Sequence, residues 1–321
     1  MNAIYLRAFG GVEQLVGGLQ PRPVAAPGEV LVEVEASGIN LADTYIRRGA
    51  FPIEESLPFI PGMEGVGRIL ALGEGVGGLR VGERVVFAAP GSYGAYVTIP
   101  LQGAAPWISL APAPEGLPLA ELASLGMAGR TAWGLVNGFV TGGGKALVYA
   151  GAGGVGSILI QLLRRRGIEV VAMAGSPHKA QAVRALGARA VEYRRQPLEE
   201  GGFDYIFNGV GGASLARDVA RLAPQGHLIW FGFAEEAGAP GLMEALQAHF
   251  MAAPSLHLFN GGLMSTAQNR AAYEELIGGL EEGWLRIQIG ALYGPEQIGE
   301  AHRHLESGQS QGKLVLMRSR T

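Results

Sequence analysis

The chain has 321 residues, 48% of them hydrophobic and 17% charged, with a formal net charge of −3. That length supports two domains with full cores, and the slight acidity offers no bulk attraction to nucleic acid or to an anionic membrane. There is no cysteine, which excludes disulfides and thiolate metal sites.

The start, Met1-Asn2-Ala3-Ile4-Tyr5-Leu6-Arg7, lacks a secretory signal pattern. The long uncharged run 85–114 is broken by Pro90, Pro100, Pro106, Pro112 and Pro114, which suit short strands and turns rather than a membrane helix. A soluble, cytoplasmic protein is expected. The first third reads as β-rich, with short strands at 30–34, 65–72, 83–87 and 93–99 between Gly and Pro punctuation, as in a folded-over sheet or partly open barrel. Segment 37–45 joins a strand to a short helix. Within it, Asn40 and Asp43 are spaced like an N-cap and its capping-box partner. Tyr45 has two readings: a packing aromatic with a satisfied hydroxyl, or, near a cofactor, a group that orients a carbonyl or donates a proton. Glu64 stands among small and apolar residues, where it is expected to bind backbone N–H groups or an Arg such as Arg68.

From about residue 119 the texture changes. A helix is expected over 119–137, and strands and helices then alternate. The strands are 146–150, 169–174, 190–193, 203–207, 227–231 and 255–259; the helices fall near 155–166, 178–186, 213–223 and 241–250. Repeated βα units imply a doubly wound parallel sheet. The tail carries helices at 267–282 and 295–307 and a strand at 313–316. It does not look self-sufficient, so it is expected to complete the first domain. The domains are then 1–118 with 260–321, and 119–259.

The loop Ala150-Gly151-Ala152-Gly153-Gly154-Val155-Gly156 follows an apolar strand and opens an apolar-periodic helix. That context makes its G-x-G-x-x-G pattern a dinucleotide site. Gly151 permits the tight turn, Gly153 lets backbone approach a pyrophosphate, and Gly156 lets helix pack close to strand. The helix N-terminus offers free N–H groups to the phosphates. About 20 residues on, an NAD site places an acid on the ribose 2′-hydroxyl. Here the strand ends in Gly175-Ser176-Pro177-His178-Lys179 with no acid. Ser176 and Lys179 suit a 2′-phosphate, so the pattern predicts NADPH rather than NADH.

The chain resembles the zinc-independent quinone oxidoreductase branch of the medium-chain dehydrogenase/reductase superfamily, nearly end to end. The resemblance rests on Ser-Gly-Ile-Asn-x-x-Asp-Thr-Tyr at 37–45, Pro-Gly-Met-Glu-Gly-Val-Gly at 61–67 and Val-Gly-Glu-Arg-Val at 81–85. It continues through Gly-Arg-Thr-Ala-Trp at 129–133, the glycine loop, Phe-Asp-Tyr-Ile at 203–206 and Gly-Lys-Leu-Val-Leu at 312–316. It implies an α/β fold: a Rossmann domain between the two halves of a GroES-like catalytic domain. It also implies that Thr131, Gly154 and Val155 line the phosphates and that Ser176, Lys179 and Tyr193 hold the 2′-phosphate. Asn40, Asn208, Phe231, Gly232, Phe233, Gly312 and Lys313 would lie on the nicotinamide side. Zinc-dependent relatives have Cys where Asn40 stands and His where Met63 stands. Neither Asn nor Met is a usual zinc ligand, and His302 and His304 point apart on a helix.

Without a Lewis acid, an alkoxide loses its usual stabilisation. The expected acceptors are therefore those whose reduced form is delocalised. The leading expectation is an NADPH-dependent reductase of quinones, with Asn40 and Tyr45 orienting the acceptor and the loop 47–61 and segment 259–266 shaping its pocket. Its alternative is an enone or 2-enoyl thioester reductase. An expectation of another class is a non-catalytic NADPH-binding sensor or RNA-binding protein, which the acidic balance disfavours. Neither a nucleic-acid nor a membrane partner is expected. A homodimer through the edge of the Rossmann sheet, near Ser255 to Phe259, is expected because exposed edges invite another strand.

Overall fold

A computed structural model describes residues 1–51, 56–195, 197–234 and 238–318. Residues 52–55 of the expected pocket loop lie outside the described residues. Two compact units emerge: Met1–Arg130 with Gly261–Thr321, and Thr131–Asn260.

The first unit opens with β1 (Asn2–Leu6) and β2 (Leu15–Leu19), an antiparallel pair. There follow β3 (Glu29–Ile39), α1 (Leu41–Arg47), β4 (Glu64–Leu72), β5 (Arg84–Ala88), β6 (Tyr96–Pro100), β7 (Ser109–Pro112) and α2 (Leu119–Leu122). Helix α3 (Arg130–Phe139) leads into the second unit. There β8 (Lys145–Val148), α4 (Gly154–Arg165), β9 (Glu169–Ala174), α5 (Pro177–Ala185) and β10 (Arg189–Glu192) precede β11 (Phe203–Asn208), α6 (Ser214–Val219), β12 (Leu222–Trp230), α7 (Leu242–Ala248) and β13 (Ser255–Leu258). The chain returns to the first unit through α8 (Thr266–Glu281), β14 (Ile289–Tyr293), α9 (Ile298–Glu306) and β15 (Lys313–Met317).

In the first unit the strand order is β14-β15-β3-β4-β5-β7, with β6 also on β3. The tail inserts itself here: β15 runs antiparallel to β3, with Leu314 opposite Ile39. One core lies under β3 to β6, around Val32, Ile69, Val85, Phe87 and Ile99. A second gathers Ile4, Ile39, Tyr93, Ile298, Leu314 and Leu316. The second joins both ends of the chain, which is why the tail is not independent.

In the second unit all strand pairs are parallel, in the order β10-β9-β8-β11-β12-β13. This is the doubly wound order. The direction of winding reverses between β8 and β11, and open α/β sheets bind ligands beyond the carboxyl ends of the strands at that point. The central strands β8, β9 and β11 are largely buried, as in parallel sheets covered on both faces; Leu147, Val171, Ile206 and, on β12, Leu228 are fully buried.

Several elements differ from the sequence expectation, three of them for reasons visible in the packing. The expected helix 119–137 is interrupted: a wide turn at Leu125–Gly129 separates α2 from α3. A Cβ on Gly126 would lie 2.3 Å from the carbonyl oxygen of Phe87, so the segment lies flat on β5, and residues 119–130 sit in the first unit. The helix expected over 213–223 ends at Val219. Asp218 is drawn into bonds with Tyr149 and Asn208, and Leu222 must pair with Phe203. Finally, β12 begins at Leu222 rather than 227. Its register shifts between Leu222 and His227, around Pro224 and the positive φ of Gln225, a bulge that hides the strand's start.

Candidate functional site

In the second unit the glycine loop sits at the carboxyl end of β8. Gly153 is the N-cap of α4 in extended conformation. The close packing expected of the loop is present. A Cβ on Gly151 would lie 2.6 Å from Cβ of Ala172, and one on Gly156 would lie 2.4 Å from the carbonyl oxygen of Ala150. Gly153, Gly154 and Val155 are partly exposed at the helix start, and the Gly153 N–H closes the turn by donating to the Ala150 carbonyl at 2.8 Å. Thr131 lies in the first turn of α3 and is partly exposed.

Ser176 caps α5, its Oγ accepting from the N–H of Lys179 at 3.3 Å. Lys179 is half-buried; burial first, and then the charge of Arg194, pulls its ammonium below the ordinary lysine range. Tyr193 is 41% exposed, and its hydroxyl would lie 3.2 Å from a Cβ on Gly175. The guanidinium of Arg194 lies 5.9 Å from the Tyr193 ring. Ser176, Lys179 and Tyr193 thus come together at the ends of β9 and β10. Arg194 joins them as a second cation that sequence reasoning missed; its position directly after Tyr193 was the available signal.

Asn208, at the end of β11, is fully buried. Its Nδ2 donates to Ser214 Oγ at 2.8 Å and to Asp218 Oδ2 at 2.7 Å, and its Oδ1 accepts from the N–H groups of Val210 and Gly211. Both amide protons and both lone pairs are spent on this loop, so the side chain shapes the turn. Burial pushes Asp218 up to about 6. After β12, the N–H of Phe231 donates to the carbonyl of Asn208. A Cβ on Gly232 would lie 2.8 Å from the carbonyl oxygen of Gly209, and Phe233 is 37% exposed.

In the first unit Asn40 directly follows β3 and caps α1, and Asp43 Oδ2 accepts from its N–H at 2.7 Å. Lys313, at the start of β15, is buried. Its Nζ donates to Asn40 Oδ1 at 2.7 Å, to Glu64 Oε1 at 2.7 Å and to the Ile39 carbonyl at 3.3 Å. Glu64 Oε1 also accepts from Asn40 Nδ2 at 2.9 Å, and Oε2 accepts from the Met127 N–H at 2.7 Å. The expected partner Arg68 pairs instead with Glu35 and Glu115. Gly312, at φ +68° and with a would-be Cβ 2.2 Å from the Gln288 carbonyl oxygen, is confined to glycine. Tyr45 lies on α1, half-buried, with the Arg48 guanidinium 5.1 Å from its ring centre; burial raises its hydroxyl above the ordinary tyrosine range. The fully buried Tyr93 donates to Asp43 Oδ2 and meets His302 Nε2, each at 3.2 Å. Burial pushes Asp43 up to about 7 and holds His302 down to about 3. His304 turns elsewhere, to the Tyr293 hydroxyl at 2.6 Å.

Two family models match this chain. The alcohol dehydrogenase GroES-like domain covers residues 26–108, and the model described as zinc-binding dehydrogenase covers residues 178–316. The quinone oxidoreductase of Lama guanicoe is 31% identical, over 99% of this chain and 97% of the relative. The chain belongs to the quinone oxidoreductase family of medium-chain dehydrogenases/reductases. Solved structures agree. A mycobacterial protein complexed with NADPH is 30% identical, with a TM-score of 0.89 over 99% of this chain and 100% of that one. The Escherichia coli quinone oxidoreductase complexed with NADPH is 25% identical, with a TM-score of 0.90 over 99% and 100%. Quinone oxidoreductases therefore share the whole length of this fold, the β-rich unit included. Among the described residues, no helix is long and apolar enough to cross a membrane.

Proposed function

We propose that this quinone oxidoreductase family member is an NADPH-dependent, zinc-independent reductase of quinones. The observation that carries the cofactor choice is the cluster of Ser176, Lys179, Tyr193 and Arg194 at the position where an NAD site places an acid. Two cations there suit a 2′-phosphate and repel nothing that NADPH carries. The glycine loop holds the pyrophosphate at the start of α4, with Thr131 beside the phosphates. Solved relatives that hold NADPH support this reading.

Metal independence rests on donor chemistry. Asn40 and Met63 offer an amide and a thioether, which zinc sites do not use, and Lys313 places an ammonium against Asn40. Among the described residues, no three His, Cys, Asp or Glu gather in a way that would hold a metal ion. The acceptor must then stabilise its own negative charge, as a quinone does. Bound NADPH would supply the two reducing equivalents, and protonation would complete the hydroquinone. Asn40 and Tyr45 orient the acceptor.

The edge strand β13 supports a homodimer. It ends the sheet order, and Leu258, Phe250 and Met251 are 74%, 77% and 92% exposed, an apolar margin that a second copy would cover. Light scattering at micromolar concentration should give twice the chain mass. For the activity, the test is NADPH consumption with a panel of quinones and enones, in the parent and in Tyr45→Phe. Quinones should be the faster acceptors, and Tyr45→Phe should act mainly on KM. A loss of 10²-fold or more in quinone turnover would make Tyr45 a general acid, and faster reduction of enones would assign the enone chemistry instead.

A further inference from the structure

Lys313, Glu64 and Asn40 form a closed ring of ammonium, carboxylate and amide. The ammonium has three protons, and the Ile39 carbonyl, Asn40 Oδ1 and Glu64 Oε1 account for all three. No donor remains for a nucleotide, which redirects Lys313 from the cofactor role implied by its motif to the amide of Asn40.

An amide offers two protons and two lone pairs. Glu64 takes one proton and Lys313 one lone pair. The alternative flip of Asn40 would turn its NH2 toward the ammonium and its oxygen toward the carboxylate, two repulsive contacts at sites where side-chain exposures of 3% and 0% leave little water to screen them. One flip state is therefore enforced. The surroundings are built to the same end. A Cβ on Gly38 would lie 2.2 Å from Glu64 Oε1, and one on Gly126 would lie 2.9 Å from Cβ of Glu64. The wide turn after α2 brings the Met127 N–H to the second carboxylate oxygen. Glu64 is thus held by glycines, a backbone donor and the ammonium.

We propose that Lys313 and Glu64 are positioning residues. They lock the Asn40 amide so that its remaining Nδ2 proton is held as the donor to the carbonyl oxygen of the quinone. This rests on the proposed function, in which Asn40 orients the acceptor.

The test is a double-mutant cycle of Lys313→Met with Asn40→Ala, read as quinone kcat and KM together with NADPH Kd from fluorescence titration. Lys313→Met alone should lower kcat on the order of tenfold, with NADPH Kd unchanged. In the Asn40→Ala background it should change kcat by less than about twofold, because the group it positions is gone. An equal loss in both backgrounds would overturn the proposal, as would a raised NADPH Kd with kcat intact. Parent-like kcat in Asn40→Ala alone would overturn the role of Asn40 itself, so the two failures are distinguishable. Lys313→Met leaves Glu64 buried and unpaired, which can prevent folding. Glu64→Gln with Lys313→Met removes both charges; a folded protein that stays slow supports the proposal, and one with parent kcat overturns it.

Discussion

Lys313 Nζ donates to Asn40 Oδ1 at 2.7 Å across 273 residues of sequence. That bond ties the last strand of the first unit to the end of β3, and β15 reaches it by pairing antiparallel with β3. The tail supplies a buried cation to the site as well as closing the sheet.

Selection of NADPH should be measurable at two residues. Lys179→Ala should weaken NADPH by roughly 1.5–3 kcal/mol, the scale of a charge-assisted hydrogen bond. Arg194→Ala should weaken it by less, because that guanidinium lies near a more exposed tyrosine. NADH affinity should stay within about twofold of the parent in both. Calorimetric titration with the two nucleotides checks this; equal affinity of the parent for both would remove the basis of the assignment.

The glycine loop makes a steric prediction. Gly156→Ala places a Cβ 2.4 Å from a carbonyl oxygen and 2.9 Å from Cα of Gly151. Helix α4 must then move off the loop, at a cost of about 1–3 kcal/mol by analogy with overpacked cores, and NADPH affinity should fall with stability. Denaturant unfolding with and without NADPH separates the two losses.

Much of the nucleotide-binding unit was legible locally. The G-x-G-x-x-G loop and its flanking strand and helix depend on residues a few positions apart, and they stand where the sequence placed them. Long-range pairings were not legible. Glu64 meets Lys313 across 249 residues, and nothing in the 61–67 motif says whether its carboxylate faces Arg68 or the tail. The interruption after α2 was hidden because Ala, Leu and Met favour helix, while the constraint at Gly126 comes from the backbone of β5.

The Asp43–Tyr93–His302 cluster makes stability depend on pH with opposing signs. Asp43 is pushed up to about 7 from 3.8, so its contribution is present below the unfolded value and lost as pH rises toward 7. His302 is held down to about 3 from 6.5, so its contribution is present above 6.5 and lost as pH falls toward 3. A tenfold change in proton affinity on folding is worth about 1.4 kcal/mol. Asp43→Asn should therefore gain on the parent by at least about 1 kcal/mol between pH 5 and 8, and His302→Gln should lose less than the parent on acidification from pH 6.5 to 4. Parallel Tm-versus-pH curves for parent and variants would contradict the assignment of these groups.

Metal independence predicts that quinone turnover survives exhaustive chelation and that elemental analysis finds far less than one zinc per chain. The amide of Asn40 and the thioether of Met63 are poor zinc donors. A stoichiometric zinc whose removal abolishes turnover would overturn the zinc-independent assignment.

The most direct measurement is a single-turnover mix of the NADPH-loaded protein with a quinone, following nicotinamide absorbance and hydroquinone together. One NADPH should be lost for each hydroquinone formed, and the step should slow on the order of tenfold or more in Asn40→Ala. NADPH that stays bound and unoxidised with every quinone, while the parent is folded and saturated, would contradict the proposed quinone reductase.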